Sequence, residues 1–206
     1  SDAAETQFVG TGSTSFDGHT SYIDCGTTLS TALGGNDYDG GFTACMWFKA
    51  DITGGDDGLF YIGSHSNSDG EFYLKLQSDN LKMRTGDSET SQTAFTDTGV
   101  WHHVAGVFDG ANNYQYLYLD GVEKYSEAQA DDLDMDGLKT VIGSYYNTTY
   151  GLVGSMKNVA VWSRALTATE IQNVMYKTYD EVGGRLANGL VSWWALESDY
   201  TDSKGS

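Results

Sequence analysis

A chain of 206 residues, 39% of them hydrophobic and 13% aromatic, is long enough to bury the core of one domain. Its 29 acidic and 11 basic residues give a formal net charge of −18. So acidic a surface repels phosphate backbones and anionic headgroups, which argues against nucleic acids and membrane surfaces as partners. No run of about 18 apolar residues occurs, so no membrane insertion is predicted. The chain opens at Ser1 without a basic-then-apolar leader, as expected of a processed protein or an excised piece.

The hydrophobic pattern has a period of two, which is typical of strands with one buried face. In chain order, strands are predicted at 43–49, 59–63, 72–77, 81–84, 104–108, 114–119, 122–125, 140–143, 155–162 and 190–196. Because the chain has 26 Gly and no Pro, its tight turns are made by Gly, Asn and Asp. Many short strands joined by such turns indicate a sandwich or a barrel.

One segment departs from this period. Thr167 and Glu170 have the spacing of a capping box, and Ile171, Val174 and Met175 follow on one helical face. We therefore predict one short surface helix over 168–176. No shift in composition and no flexible linker divides the chain, so residues 1–206 are predicted to form a single domain.

Two cysteines, Cys25 and Cys45, both fall in predicted strands. A disulfide would require their Cα atoms to approach to about 6 Å in an oxidising compartment. Two separate buried thiols are the favoured interpretation.

The stretch 99–110, which contains Trp101-His102-His103, and the segment 117–121 resemble the central signature of laminin-G-like, concanavalin-A-like jelly-roll domains. Four other pieces agree in order: Phe16-Asp17-Gly18 with 22–24, then 42–49, then Ile142-Gly143, then 154 through 171. The resemblance spans nearly the whole chain. It implies an all-β fold, in which two antiparallel sheets form a β-sandwich with one short helix near 168–176.

The C-terminal segment 189–206 resembles the opening strand of the same family, although here it comes last. The first and last strands of such jelly rolls lie together, so this segment is expected to complete its own sandwich. The alternatives are that it begins a following domain or enters a neighbouring copy by strand addition.

A loop rich in tyrosine is the candidate sugar-binding site. Tyr145, Tyr146, Asn147 and Tyr150 combine aromatic rings with polar donors, and sugar rings stack their C–H faces on aromatic side chains. Further polar contacts are predicted from the loop 65–69, chiefly His65 and Asn67, and from the acidic loop 51–57. The alternative is that the tyrosines lie flat over the sandwich edge.

Acidic residues suggest a calcium site. Asp132, Asp134 and Asp136, followed by Gly137, have the alternate spacing that lets carboxylates converge on Ca²⁺. A solvated acidic loop is the alternative. The family resemblance implies a second site near Asp17, but Lys157 stands where the family commonly has an acidic ligand.

The function predicted from these features is that of an extracellular, cell-surface or virion-surface module that binds glycans or glycoproteins, with Ca²⁺ as a candidate cofactor. The alternative is a structural or adhesive unit of a larger assembly, such as a tandem surface protein, a fibre or a phage appendage. An enzyme is not expected, because the chain has neither the E-x-D-x-x-E pattern of related β-sandwich glycosidases nor a G-x-S-x-G elbow.

Overall fold

The computed structural model describes residues 12–33, 41–64, 67–86, 88–129, 133, 135–145 and 150–205. The strands in these ranges are β1 (Thr14–Asp17), β2 (Ile23–Asp24), β3 (Phe42–Ala50), β4 (Asp56–Ser64), β5 (Asn67–Gln77), β6 (Asn80–Thr85), β7 (Ser88–Ala94), β8 (His102–Asp109), β9 (Tyr114–Leu119), β10 (Val122–Ala128), β11 (Lys139–Ile142), β12 (Val153–Trp162) and β13 (Leu190–Trp194). The helices are α1 (Thr28–Leu33) and α2 (Ala168–Val174), with 3-10 helices at Tyr179–Glu181 and Gly184–Ala187.

These strands form two sheets. The seven-stranded sheet has the order β1-β12-β3-β8-β9-β10, with β13 also paired to β12. The six-stranded sheet has the order β2-β11-β4-β5-β6-β7. Neighbouring strands pair antiparallel in both sheets. The predicted all-β, two-sheet sandwich is confirmed.

The main core lies between the two sheets. Because side chains alternate along a strand, β3 directs Phe42, Met46 and Phe48 inward, and β5 directs Phe72 and Leu74 towards them. The rings of Phe42 and Phe72 meet edge to face, with their centroids 4.7 Å apart. Aromatic packing of this kind holds the two sheets together.

A second core covers the outer face of the seven-stranded sheet. Trp162 from β12 and Trp193 from β13 pack there against Ile171 and Val174 of α2. The indole N–H of Trp162 donates to the Leu186 carbonyl at 2.7 Å, which satisfies a polar group that would otherwise be buried without a partner. The central strands β3, β8 and β12 of this sheet are therefore buried on both faces.

The short helix begins where its capping box predicts. The Thr167 hydroxyl accepts from the Glu170 amide at 3.3 Å, and the Glu170 carboxylate accepts from the Thr167 amide at 2.9 Å. The helix ends at Val174, slightly before the predicted 176, since Met175 is its C-cap. None of the described helices is long and apolar enough to cross a membrane.

The C-terminal strand β13 pairs with β12 of its own chain. It lies on the same edge of β12 as β1, which pairs with residues 153–156 while β13 pairs with 159–162. The segment after β13 covers its outer edge, where the Asp202 carboxylate accepts from the Trp193 amide at 2.8 Å and the Ser203 amide donates to the Trp193 carbonyl at 2.7 Å. Such capping hides an edge that would otherwise attract another strand.

Several features differ from the sequence-based prediction, which also gave no residue range for a strand at β1 or β2. The helix α1 and the polar strand β7 were not predicted. The predicted polar loop over 65–69 was wrong from residue 67 onward, because β5 begins at Asn67, whose backbone pairs with Ser64 of β4. Here the β4–β5 hairpin continues its ladder through residues that sequence reasoning assigned to a turn.

Both cysteines are free thiols, as the favoured interpretation expected. Cys45 belongs to the second core, on the outer face of the seven-stranded sheet. Cys25 follows β2 of the other sheet, where burial is the main cause that raises the pKa of its thiol to about 12. Neither thiol is therefore a ready nucleophile.

Trp194 offers a test of the part that β13 plays in the core. Its side chain is buried between the sheets. Trp194→Ala should lower the free energy of unfolding by about 3–5 kcal/mol, because a large cavity replaces a buried indole. Urea unfolding followed by circular dichroism measures this. The control Tyr200→Ala removes a side chain that is 60% exposed and should change stability by less than about 0.5 kcal/mol. Equal effects of the two substitutions would contradict the core position of Trp194.

Candidate functional site

Four tyrosines gather on the outer face of the six-stranded sheet, and we call Tyr61, Tyr73, Tyr145 and Tyr150 the tyrosine cluster. Tyr61 of β4 and Tyr73 of β5 are directly opposed across the antiparallel ladder. Their neighbours Phe60 and Phe72 point into the main core, so strand alternation places both tyrosines on the opposite face. Tyr145 and Tyr150 come from the segment that follows β11.

Tyr145 is the centre of the cluster. Its ring centroid lies 5.3 Å from that of Tyr61 and 5.0 Å from that of Tyr73, both in edge-to-face geometry. Tyr150 lies 6.1 Å from Tyr145. Tyr61 and Tyr73 are buried, whereas Tyr145 and Tyr150 are half-buried. Within the cluster, the rings that present surface to a ligand are therefore those of Tyr145 and Tyr150.

A buried lysine lies beneath these rings. Lys75 projects from β5 on the same face as Tyr73, and its Nζ lies 4.7 Å from the Tyr73 centroid and 4.4 Å from the Tyr145 centroid. The same Nζ is 3.3 Å from Oδ1 of Asp56. Both the aromatic faces and the carboxylate stabilise the ammonium, which compensates for its removal from water.

Asp56 links the lysine to its surroundings. Its second oxygen, Oδ2, accepts a hydrogen bond from the Gln77 side chain at 2.8 Å. Asp56 is part of the acidic loop 51–57 for which polar contacts at the sugar site were predicted. The structure brings this residue of the loop beside the tyrosine cluster, where its carboxylate pairs with the Lys75 ammonium.

The backbone of β4 holds the tyrosine segment in place. The Gly58 amide donates to the Tyr150 carbonyl at 3.0 Å, and the Tyr145 amide donates to the same carbonyl at 2.9 Å. A Cβ atom at position 58 would lie 1.8 Å from the Tyr145 amide nitrogen, well inside van der Waals contact. Glycine at 58 is therefore required for the segment to approach the sheet this closely.

Asp57, next to Asp56, has an unusual environment. It is 5% exposed, and its Oδ2 has no hydrogen-bond partner among the described residues. Burial, and secondarily the charge of Asp56, raises the pKa of the Asp57 carboxyl to about 6. Asp57 is opposite Leu76 of the main core, so strand alternation directs its carboxyl to the face of β4 away from the tyrosine cluster.

The structure places part of the predicted sugar-binding set. Tyr145 and Tyr150 lie together in the tyrosine cluster, whereas His65, Tyr146 and Asn147 lie outside the described residues. Asn67 is the first residue of β5. Its contribution to a ligand site stays a prediction.

The predicted calcium ligands are dispersed or lie outside the described ranges. Asp132 and Asp134 are among the residues not described, while Asp136 is exposed at the turn before β11. Leu133 and Met135, which alternate with the acids, are buried in the main core. Within the described residues no three His, Cys, Asp or Glu side chains converge as metal ligands do.

Asp17 has a role in its own turn. Its Oδ1 accepts from the amides of His19, Thr20 and Ser21 at 2.8–3.0 Å, and its Oδ2 accepts from the Thr20 hydroxyl at 2.6 Å. These hydrogen bonds, led by those to the Thr20 and Ser21 side chains, hold the pKa of the Asp17 carboxyl well below its ordinary value. Asp17 therefore stabilises the turn after β1 whether or not it also binds a cation.

Sequence reasoning missed Tyr61, Tyr73 and Lys75 as members of the site. One signal was present, because the alternation in 72–77 already assigns Tyr73 and Lys75 to the face opposite Phe72 and Leu74. The sequence could not predict that β4 pairs with β5, nor that the segment after β11 packs against these two strands.

Comparisons with known proteins agree with this fold. A laminin-G family model, described as the concanavalin A-like lectin/glucanases superfamily, matches residues 17–172. Among curated proteins, human neuronal pentraxin-2 is 20% identical over 143 residues, which is 65% of this chain and 33% of that protein. The match thus spans a third of the length of that curated relative.

Two solved structures illustrate the structural likeness. The CBM40 domain of the Ruminococcus gnavus IT-sialidase, bound to α2,3-sialyllactose, superposes with a TM-score of 0.66 at 17% identity, covering 81% of this chain and 97% of that one. A heptameric SAP-like pentraxin from Limulus polyphemus superposes with a TM-score of 0.57 at 18% identity, covering 96% and 90%. At these identities the likeness concerns the fold.

The raised pKa of Asp57 predicts a pH-dependent effect of neutralising this side chain. Its folded-state value of about 6 exceeds the value of about 3.9 in unfolded chains, so the folded protein holds this proton more tightly. Protonated Asp57 therefore contributes to the free energy of unfolding in full below about pH 4, and this contribution is lost as the pH rises through about 6. Asp57→Asn should therefore raise the free energy of unfolding by about 1–2 kcal/mol near pH 8 and have little effect near pH 4.

Urea unfolding at the two pH values measures this difference. Asp51→Asn, at an exposed position of the same loop, is the matched control and should behave alike at both. A gain from Asp57→Asn that does not vary with pH would show that a change other than the removal of charge stabilises the protein.

Proposed function

Because this chain belongs to the concanavalin A-like lectin/glucanases superfamily, we propose that it is a carbohydrate-binding module that holds a saccharide at the tyrosine cluster. The observation that carries the proposal is the fixed position of Tyr145, whose ring is supported by Tyr61, Tyr73 and the Lys75 ammonium. A platform fixed before binding loses little conformational entropy when a ligand arrives.

The chemistry of the cluster suits sugar. The half-buried rings of Tyr145 and Tyr150 offer apolar surface to the C–H face of a pyranose, while their hydroxyl groups can donate or accept hydrogen bonds and the nearby Asp56 carboxylate can accept them. The Ruminococcus gnavus domain binds sialyllactose on a similar fold, which supports a glycan as the class of ligand.

The proposed context is extracellular or at a cell or virion surface, with a glycan or a glycoprotein as the partner and with no catalytic step. A structural or adhesive unit is the second candidate. Two observations favour it: Tyr61 and Tyr73 are buried, and the Limulus pentraxin with a similar fold is heptameric. A concentration-dependent oligomer that binds no saccharide would support this second function.

Replacing the two half-buried rings of the tyrosine cluster tests the proposed carbohydrate binding. In the double variant Tyr145→Ala/Tyr150→Ala, the affinity for any glycan that the wild type binds should fall by about tenfold or more, because each ring contributes about 0.5–1.5 kcal/mol. A glycan array identifies the ligand, and isothermal titration calorimetry then gives the dissociation constants.

Tyr200→Ala is the matched control, since it removes an exposed tyrosine at a distance from the cluster along the chain. Tyr145→Phe separates the ring from its hydroxyl and should keep most of the affinity if stacking dominates. Thermal unfolding of each variant checks that the fold is intact. A folded wild type that binds no glycan on the array would favour the structural unit.

We also propose that Ca²⁺ assists the module through the acidic segment 132–136. If so, calcium at 100 times its dissociation constant should stabilise the protein by about 2.7 kcal/mol, and Asp136→Asn should weaken this effect. Asp17→Asn is expected to act differently. It should lower the melting temperature even when a chelator removes Ca²⁺, because the Asp17 carboxylate accepts hydrogen bonds from the amides of its own turn. Differential scanning fluorimetry with and without Ca²⁺ distinguishes the two, and an unchanged wild-type melting temperature would refute the calcium proposal.

A further inference from the structure

A groove of about 560 Å³ lies beside α2, on the side of the molecule where that helix covers the seven-stranded sheet. Residues of α2 form one wall, and the segment around the 3-10 helix Gly184–Ala187 forms the other. The volume falls within the range of small-ligand sites, which is about 300–1,000 Å³. The groove shares no residue with the tyrosine cluster.

The one acid that lines this groove is already neutralised. Glu170 forms a two-pronged ion pair with Arg164, with Nη1 to Oε2 at 3.0 Å and Nη2 to Oε1 at 2.9 Å. The Thr167 amide also donates to Oε2 at 2.9 Å. These contacts, led by Arg164, lower the pKa of Glu170 to about 2, and they occupy both of its oxygens.

Two cations in the groove have no such close ion pair among the residues that the structure describes. Arg185 is exposed and forms no ion pair within the described ranges of the chain. Lys177 is half-buried. The nearby Glu181 carboxylate accepts from the Thr178 amide at 2.9 Å and its hydroxyl at 3.2 Å, and these hydrogen bonds, with a smaller contribution from the Lys177 charge, lower the pKa of Glu181. In a molecule of net charge −18, these two cations make the groove a local site for negative charge.

Neutral groups complete the lining. The Thr169 hydroxyl and the Asn173 amide are exposed and form no side-chain hydrogen bond with other described residues, so they are available to a ligand. Leu186 supplies apolar surface and is itself buried. The groove thus combines positive charge, hydrogen-bonding groups and a small apolar surface.

The walls are fixed to one another. Arg164, besides holding Glu170, donates from Nη2 to the Arg185 carbonyl at 2.8 Å and from Nε to the Asn188 carbonyl at 2.7 Å. The Trp162 indole holds the Leu186 carbonyl from the opposite side. Because this network ties the 3-10 helix to α2, the groove is formed before any ligand binds.

We propose that this groove binds an acidic sugar residue, such as a uronic acid or a sialic acid, as a second saccharide site. Arg185 and Lys177 pair with the carboxylate, since the guanidinium can make two parallel hydrogen bonds to it. Thr169 and Asn173 contact the hydroxyls, and Leu186 packs against a C–H face of the ring.

The test is a nuclear magnetic resonance titration of the labelled protein with sodium glucuronate at constant ionic strength. Amide signals within 167–186 should shift with a saturable dissociation constant. Glucose, which lacks the carboxylate, and acetate, which lacks the hydroxyls, should bind these residues at least about tenfold more weakly. Glucuronate binding should be unchanged in Tyr145→Ala/Tyr150→Ala, so failure at this groove is distinguishable from failure at the tyrosine cluster.

The variant Lys177→Ala/Arg185→Ala should weaken glucuronate binding by at least about tenfold. Lys124→Ala/Lys204→Ala is the matched control, because it removes the same charge from exposed positions elsewhere and should bind as the wild type does. Asn173→Asp gives a second, isosteric variant that adds a repelling carboxylate at an exposed position and should also weaken binding.

Three outcomes would overturn the proposal. Signals within 167–186 that do not shift with glucuronate would exclude an acidic-sugar site. Acetate binding as tightly as glucuronate would reduce the groove to a simple anion site. An equal loss in the control Lys124→Ala/Lys204→Ala would mean that overall charge, and not the groove, controls binding.

Discussion

The burial of β12 on both faces and along both edges is the constraint on which the rest of the structure depends. Met156 and Val161 face the main core, while Ala160 and Trp162 face the second core beneath α2. On one edge β12 pairs with β3, and on the other it pairs with β1 and β13 in succession. A strand enclosed in this way requires a cover over the outer face of its sheet, and α2 with the 3-10 segment supplies it. The groove beside α2 and the tyrosine cluster are consequently on opposite sides of the sandwich.

The sequence predicted those elements whose own residues carry a local signal, such as apolar alternation or a capping box. The alternation in 43–49 corresponds to β3 (Phe42–Ala50), and the Thr167–Glu170 capping box marks the start of α2. It failed for β7, whose residues Ser-Glu-Thr-Ser-Gln-Thr-Ala show no apolar alternation, because an edge strand held by backbone pairing to β6 needs no apolar face. The six-residue helix α1 was missed for a related reason, since so short a helix depends on tertiary packing more than on its own sequence.

The residues of the candidate site likewise divide into those that the sequence could predict and those that it could not. Tyr145 and Tyr150 could be chosen from composition, because their segment combines aromatic rings with polar donors, which are the groups that contact sugars. Lys75 could not be chosen in this way, because an isolated lysine in an alternating strand is most often solvated. Its position between two aromatic rings and Asp56 results from the pairing of β4 with β5 and from the return of the segment after β11, which are contacts between residues distant in sequence. The calcium ligands rest on spacing alone, and Asp17 shows that a carboxylate in a family motif can be fully occupied by its own turn.

Gly58 gives this site an evolutionary dimension. Because a Cβ atom there would collide with the Tyr145 backbone, any mutation at 58 would move the aromatic platform without touching a ligand directly. Among homologues of this protein, residues other than glycine are therefore expected at position 58 only where the tyrosine cluster is absent. Gly58 and Tyr145 should accordingly be lost together. If the tyrosine cluster binds a saccharide as proposed, a residue without a side chain therefore restricts how that specificity can change.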